Sequence, residues 1–154
     1  MNVEILQARV SHIPAIASRI RPADEVELWD FACVTPAQAM YYGLNQARLA
    51  RTGLIDGEAV CMFGVNTVSA VSGVGRVWMV GTSLLDKYAM TFLRRCAPEV
   101  EEMFQSYKRL ENYIDVRNVK AIAWLKWLKF EMGDPQPMGI YKMPFIKFSR
   151  EVQS

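Results

Sequence analysis

Tyr113, Asp115 and Asn118 bring a phenol, a carboxylate and a carboxamide together in the stretch RLENYIDVRNVKAIAWLKWLKF, Arg109 to Phe130. A phenol gives a proton, a carboxylate takes one or holds a water against a nucleophile, and a carboxamide orients a polar ligand. Each residue type also has a structural use. Asp115 can hold the backbone where it leaves a strand, and Asn118 can cap the helix that follows. Leu110, Tyr113, Ile114 and Val116 are β-favouring, whereas Ile122, Trp124, Leu125 and Leu128 recur at helical spacing with Lys120 and Lys126 between them. The segment therefore predicts a strand, a tight junction and an amphipathic helix, with Trp124, Leu125 and Leu128 largely buried against a sheet.

Few other residues offer chemistry by spacing. His12 is the only histidine and has no ligand partners around it, and Cys33, Cys61 and Cys96 are widely separated and fit no metal pattern, so no metal is expected. There is no nucleophile-elbow, Walker or dinucleotide motif. A chain of 154 residues, 51% hydrophobic and 22% charged, fits one soluble domain spanning residues 1–154. Its formal charge of +2 gives no reason to expect nucleic acid, and the basic residues Lys142, Lys147 and Arg150 read as a solvated strand edge. No stretch approaches the roughly 18 uncharged residues of a membrane span. The expected setting is intracellular, with reduced thiols.

The remaining elements follow from local signals. Val3 to Arg9 alternates as a strand, and Ser11 and Pro14 open a helix whose stripe is Ile13, Ile16, Ala17 and Ile20. RPADEVELWDF starts a second helix with Asp24 and Glu25 at the positive end of its dipole. Thr35-Pro36 starts a third, running to about Arg48. Leu49 to Ile55 and Glu58 to Val65 flank Asp56-Gly57, a two-residue hairpin signal. NTVSAVSGVG reads as a wide loop, Arg76 to Gly81 as a strand, and Thr82 or Ser83 as the cap of a helix that Pro98 should kink or divide. Gly133, Pro135, Pro137 and Gly139 mark a turn before a last strand, Ile140 to Phe148. The sum is an α/β (α+β) fold: a mixed, mostly antiparallel sheet of six to seven strands with helices on both faces and a central parallel pair, Arg76 to Gly81 beside Arg109 to Val116.

This order, and the sequence DVRNVKAIAWLKWLKF, resemble the GCN5-related N-acetyltransferase superfamily, whose last α/β unit commonly reads Asn-x-x-Ala-x-x-Leu-Tyr-x-x-x-Gly-Phe. Asn118, Ala121, Trp124 and Phe130 fall on matching positions, and ILQARVSHIPAIASRI looks like that superfamily's first strand and helix. The resemblance implies an acetyl-CoA-dependent N-acyltransferase in which a split between strands near Val80 and Tyr113 admits pantetheine. Gly81 and Thr82 would polarise the thioester or hold phosphate, Asn118 would position it, and Lys87 would add a charge. Asp115 or Glu58 would serve the amine, and Tyr113 or Tyr141 would donate the proton.

Three positions depart from the pattern. The superfamily holds pyrophosphate on an Arg/Gln-x-x-Gly-x-Gly/Ala turn, a helix start where glycine permits close backbone approach. Here VGTSLLDKYA has only Gly81, with Leu84 and Leu85 where small residues are wanted, so acetyl-CoA is expected to bind weakly or not at all. Leu125 stands where the acid tyrosine usually sits, and Lys129 replaces the glycine before the phenylalanine, straining the chain by about 1 kcal/mol if positive φ is needed.

A closer resemblance, in NYIDVRN, AIAWLKWLKF and the closing PFIKF, is to acetyltransferase-like proteins of tailed phages, including internal virion proteins of short-tailed phages. It implies an alternative role, a catalytically silent domain acting in virion assembly or on a host protein. The setting would then be the bacterial host cytoplasm or the virion. The expected partner is an amine substrate or a phage or host protein, with a homo-oligomer possible and neither nucleic acid nor membrane involved.

Overall fold

The computed structural model describes residues 1–153. Its centre is the hairpin of β2 (Ala47–Ile55) and β3 (Glu58–Ser69). Asp56 and Gly57 both adopt positive φ, 49° and 81°, the twist-matched turn that Asp-Gly favours. β1 (Val3–Gln7) adds on one side and β4 (Val74–Gly81) on the other, all antiparallel. β5 (Arg109–Asp115) then runs parallel to β4, and β7 (Met143–Glu151) and β6 (Glu131–Met138) complete the order β1-β2-β3-β4-β5-β7-β6. The sheet thus has seven strands and one parallel join, as the sequence predicts.

Strand alternation divides the core into two layers. Met62 and Val80 turn to the face covered by α1 (Ile13–Ala17), α2 (Pro22–Ala32) and α3 (Pro36–Gln46), where they meet Ile13, Ile16 and Met40. Cys61, Phe63 and Val65 turn to the other face. There α4 (Ser83–Lys87), α5 (Ala89–Met103) and α6 (Val119–Trp127) pack, with Phe92, Leu93 and Val100 buried. Thr35 caps α3 as expected: its Oγ1 accepts from Gln38 N at 3.2 Å, while Gln38 Oε1 accepts from Thr35 N at 2.9 Å. No helix among the described residues is long and apolar enough to cross a membrane.

Several local expectations are corrected. Asn66 to Ser69 and Val74 to Gly75 extend the strands instead of forming a wide loop. Two side-chain bonds hold them there: Asn66 Oδ1 accepts from Trp78 Nε1 at 2.8 Å, and the Thr67 hydroxyl meets the Tyr107 hydroxyl at 2.6 Å. Pro98 neither divides nor ends α5, and the helical break falls at Tyr88. The buried side of α5, from Phe92 to Met103, holds the helix through the missing N–H. α3 ends at Gln46 because β2 begins at Ala47. The first helix opens with a single turn at Val10–His12, and Ile20 leaves it to bridge Thr82. Gly133, Pro135 and Pro137 lie in β6, an outermost strand with a register shift between Met132 and Pro135, where proline is tolerated.

The helix from Val119 lies where expected, and Leu128 beyond it is buried, but Trp124 and Leu125 are only half-buried because the sheet beneath them is parted. Lys129 takes φ 72°, the strained conformation anticipated for a glycine position. Leu128→Ala is expected to cost about 2–4 kcal/mol in chemical denaturation, and Leu125→Ala less than about 2, since its side chain already faces open space. Equal losses would show that both residues are packed alike.

Candidate active site

The parting has an identifiable cause. β4 and β5 are in register at only three positions, ending at Arg76 opposite Glu111. Arg109 N donates to Gly73 O, and the parallel ladder advances by two residues, so Tyr113 N should next reach Val77 O. Asn112 intercepts that bond. Its Nδ2 donates to Val77 O at 2.7 Å and its Oδ1 accepts from Tyr113 N at 2.8 Å, so one carboxamide replaces a ladder hydrogen bond and wedges the strands apart. Beyond the wedge, Val77 and Gly81 turn their carbonyls away from β3, and alternation puts the Met79 N–H and carbonyl on the same open edge.

The C-terminal end of the gap is closed by side chains from the start of α2. Arg21 N donates to Gly81 O at 2.9 Å, and Gly81 N donates to Asp24 Oδ2 at 2.8 Å. The Arg21 guanidinium, buried with Asp24, bonds Asp24 Oδ1 at 2.6 Å and Asp86 Oδ1 at 3.0 Å and lies 4.6 Å from the centre of the Trp124 ring. A Cβ at position 81 would fall 2.7 Å from the buried Leu85 Cδ2 and 3.3–3.4 Å from Arg21 and Asp24, so a larger residue there would have to displace the Leu85 side chain. Burial raises the Asp24 pKa despite Arg21, the Gly81 N–H and Asn118, all of which favour the carboxylate.

Asn118 occupies the N-cap position of α6, as expected, but its side chain does not cap the helix. Its side chain makes no bond to the α6 backbone and points into this cluster, 3.4 Å from both Arg21 Nη2 and Asp24 Oδ1 and 3.5 Å from Glu27 Oε1. Glu27 Oε1 also accepts from Asp115 N at 2.8 Å. Glu27 Oε2 has no partner among the described residues, and none of their buried polar side-chain atoms is left unpaired, so Oε2 keeps contact with water. Burial lifts the Glu27 pKa to about 7, assisted by the charges of Asp24 and Asp115 and opposed by the bonds from Asp115 N and Asn118. A carboxyl tuned to neutrality beside a cleft has the properties of a general base.

The gap opens into a cleft of about 370 Å³. Phe31, Trp78, Met79 and Tyr113 line it on the α2 side or at the gap, and Leu93, Cys96, Trp124 and Leu125 on the α5 and α6 side. Val80, Asn118 and Tyr113 thus lie on one cleft, whereas Gly81, Thr82, Lys87, Asp115, Glu58 and Tyr141 are not among the residues that line it. Val80 contributes its side chain while its backbone alternates toward β3. The Gly81, Thr82 and Ser83 amides are taken by Asp24, Val60 O and Arg19 O, leaving none of the three for phosphate, and the Thr82 hydroxyl donates to Val60 O instead of capping α4. Lys87 is exposed and lies against the Tyr88 ring.

Asp115 is buried and bound by Arg117 through N, Nε and Nη2, which holds the strand–helix junction together. Glu58 pairs with Arg19 at the surface, and Tyr141 accepts from Trp29 Nε1. His12 is outside the cleft, 2.8 Å from the Thr52 hydroxyl, with its pKa lowered by burial and by Arg9. No metal-binding cluster occurs among the described residues. Arg21, Asp24, Glu27 and Asn112 escaped sequence reasoning. The i, i+3 spacing of Arg21, Asp24 and Glu27 was the available signal, since it places all three on one side of α2.

No family model and no curated protein matches the sequence. Solved structures do match over nearly the whole chain. An N-acetyltransferase from Staphylococcus aureus Mu50 superposes with a TM-score of 0.73 at 14% identity, covering 99% of this chain and 100% of that one. A ribosomal-protein-alanine N-acetyltransferase from Brucella melitensis gives 0.72 at 16%, covering 97% and 99%, and a GNAT-family acetyltransferase from Streptococcus pneumoniae gives 0.68 at 12%, covering 99% and 100%. The chain therefore has the GNAT acetyltransferase fold.

Two measurements probe the site. Asn112→Ala leaves Val77 O and Tyr113 N without their bridge, and should lower stability by about 1–3 kcal/mol. An unchanged denaturation midpoint would remove Asn112 from the role of wedge. For Glu27, a folded pKa raised above the unfolded value means that the native state binds the extra proton between about 4.5 and 7, so its contribution to stability falls as pH rises through that window. Glu27→Gln should therefore raise the melting temperature at pH 8, by the equivalent of roughly 1–3 kcal/mol, and change it little at pH 4. A pH-independent shift would refute the assignment.

Proposed function

We propose that this protein is an N-acyltransferase, moving an acyl group from a thioester to an amine with the reacting carbonyl in the gap between β4 and β5. The observation that supports this most is that one cleft is lined by both the open Met79 edge and the Glu27 carboxyl, whose pKa is about 7. An amine attacks only when neutral, and Glu27 Oε2 is placed to take its proton. As the N–C bond forms, the Met79 N–H donates to the developing oxyanion. The C–S bond then breaks and the thiolate takes a proton from Tyr113, a residue lining the same cleft. Asn118 and the Asp115 N–H position Glu27. The fold neighbours named as N-acetyltransferases support the reaction class.

The donor's diphosphate gains little here, because the Gly81, Thr82 and Ser83 amides already have partners. Those occupied amides also favour a second reading, the catalytically silent domain in virion assembly or host binding that the phage resemblance implied. Thiol release from acetyl-CoA and from acetyl-pantetheine, with a panel of small amines, separates the two. Acyl transfer predicts rates within about tenfold of each other for the two donors, rising through pH 7 with one ionisation, and a loss of about 10²-fold or more in Glu27→Gln. Absence of thiol release from these donors and from longer-chain acyl thioesters alike, together with no calorimetric heat for acetyl-CoA, would replace this reading with the silent domain.

A further inference from the structure

The cleft does not end at the reacting gap. It continues between the sheet and α5, where Leu93, Cys96, Val100 and Met103 of α5 and Phe148 of β7 line it. The polar side chains lie elsewhere. Arg21, Asp24, Glu27 and Asn118 sit at the C-terminal strand ends, Asn112 is spent on the wedge, and Arg76 is exposed on the α3 side. The Cys96 thiol, its pKa raised to about 12 by burial, stays uncharged and behaves as a small apolar group.

A pantetheine arm laid along these walls would bury two amides and a hydroxyl with no side-chain partners, a cost that hydrocarbon avoids. An apolar cavity of about 150 Å³ accepts benzene; the 370 Å³ belongs to the whole cleft, reacting gap included, so on that scale the tail is bounded at fewer than about fifteen carbons. From this distribution we infer that the donor carries a linear acyl chain of medium length, its tail between the sheet and α5 and its carbonyl at Met79 and Glu27. The inference rests on the acyl-transfer reading for its chemistry, and the balance of bonds is unchanged: N–C forms, C–S breaks, and the thiol leaves with a proton.

Trp78 and Trp124 line the cleft, so their fluorescence reports occupancy by butanoate, octanoate, decanoate and dodecanoate. Affinity should tighten about fourfold per methylene up to decanoate and then level off, the transfer free energy of a buried methylene setting the slope. Val100→Phe, which fills the far end, should weaken decanoate at least tenfold and leave butanoate unchanged. Cys96→Met tests the same point with a smaller volume change if the first variant does not fold. Saturable binding that ignores chain length, or no binding up to dodecanoate, overturns the inference. Decanoate binding without transfer from any decanoyl thioester overturns the acyl-transfer reading and leaves the chain pocket standing. Transfer from acetyl and decanoyl thioesters at equal rates does the reverse.

Discussion

The cleft exists because Asn112 replaces a backbone hydrogen bond with a side-chain one. A parallel pair that continued past Arg76 would bond Tyr113 N to Val77 O and close the sheet. A carboxamide satisfies both groups at greater separation, so the gap opens without leaving either unpaired in the interior, where such a loss costs roughly 1–3 kcal/mol each. Three features of the cleft depend on that opening: the unpaired Met79 edge of β4, the half-buried Trp124 and Leu125, and the room for side chains of α2.

Those side chains form a charged cluster sealed from water on most sides. Arg21 and Asp24 are nearly inaccessible, and removing such charges from solvent is repaid only when each is bonded several times. Arg21 meets Asp24, Asp86, Asn118 and Trp124, while Asp24 meets Arg21, Asn118 and the Gly81 N–H. The same cluster takes up the Gly81 N–H and carbonyl at the end of β4. Asn118, within hydrogen-bonding distance of both Asp24 and Glu27, ties this cluster to the Glu27 carboxyl.

The fold was legible in the sequence wherever local chemistry leaves one solution. Asp56-Gly57 and Thr35-Pro36 announce themselves because few residues tolerate those backbone angles or satisfy those helix ends. The junction from Tyr113 to Asn118 was legible too, and Asp115 holds it with Arg117. The site was less so. Asn118 has the composition of a cap, and only the approach of α2 reveals that its side chain serves Arg21 and Glu27 instead. Asp24 and Glu27 look like solvated helix residues until the bridge between Ile20 and Thr82 brings their helix across the sheet. The prolines of β6 misled because an outermost strand tolerates a residue that local propensity disfavours, and tertiary packing likewise carries α5 through Pro98 without dividing it.

Pro135 and Pro137 also bear on how copies of this chain meet one another. β6 is the last strand of the sheet, and an open strand edge is a template on which a second molecule can continue the ladder. Two residues without an N–H in one eight-residue strand, beside a register shift, break the run of donors such a template needs. At the opposite edge β1 is only five residues long. Neither margin offers a long regular ladder for a second copy to extend.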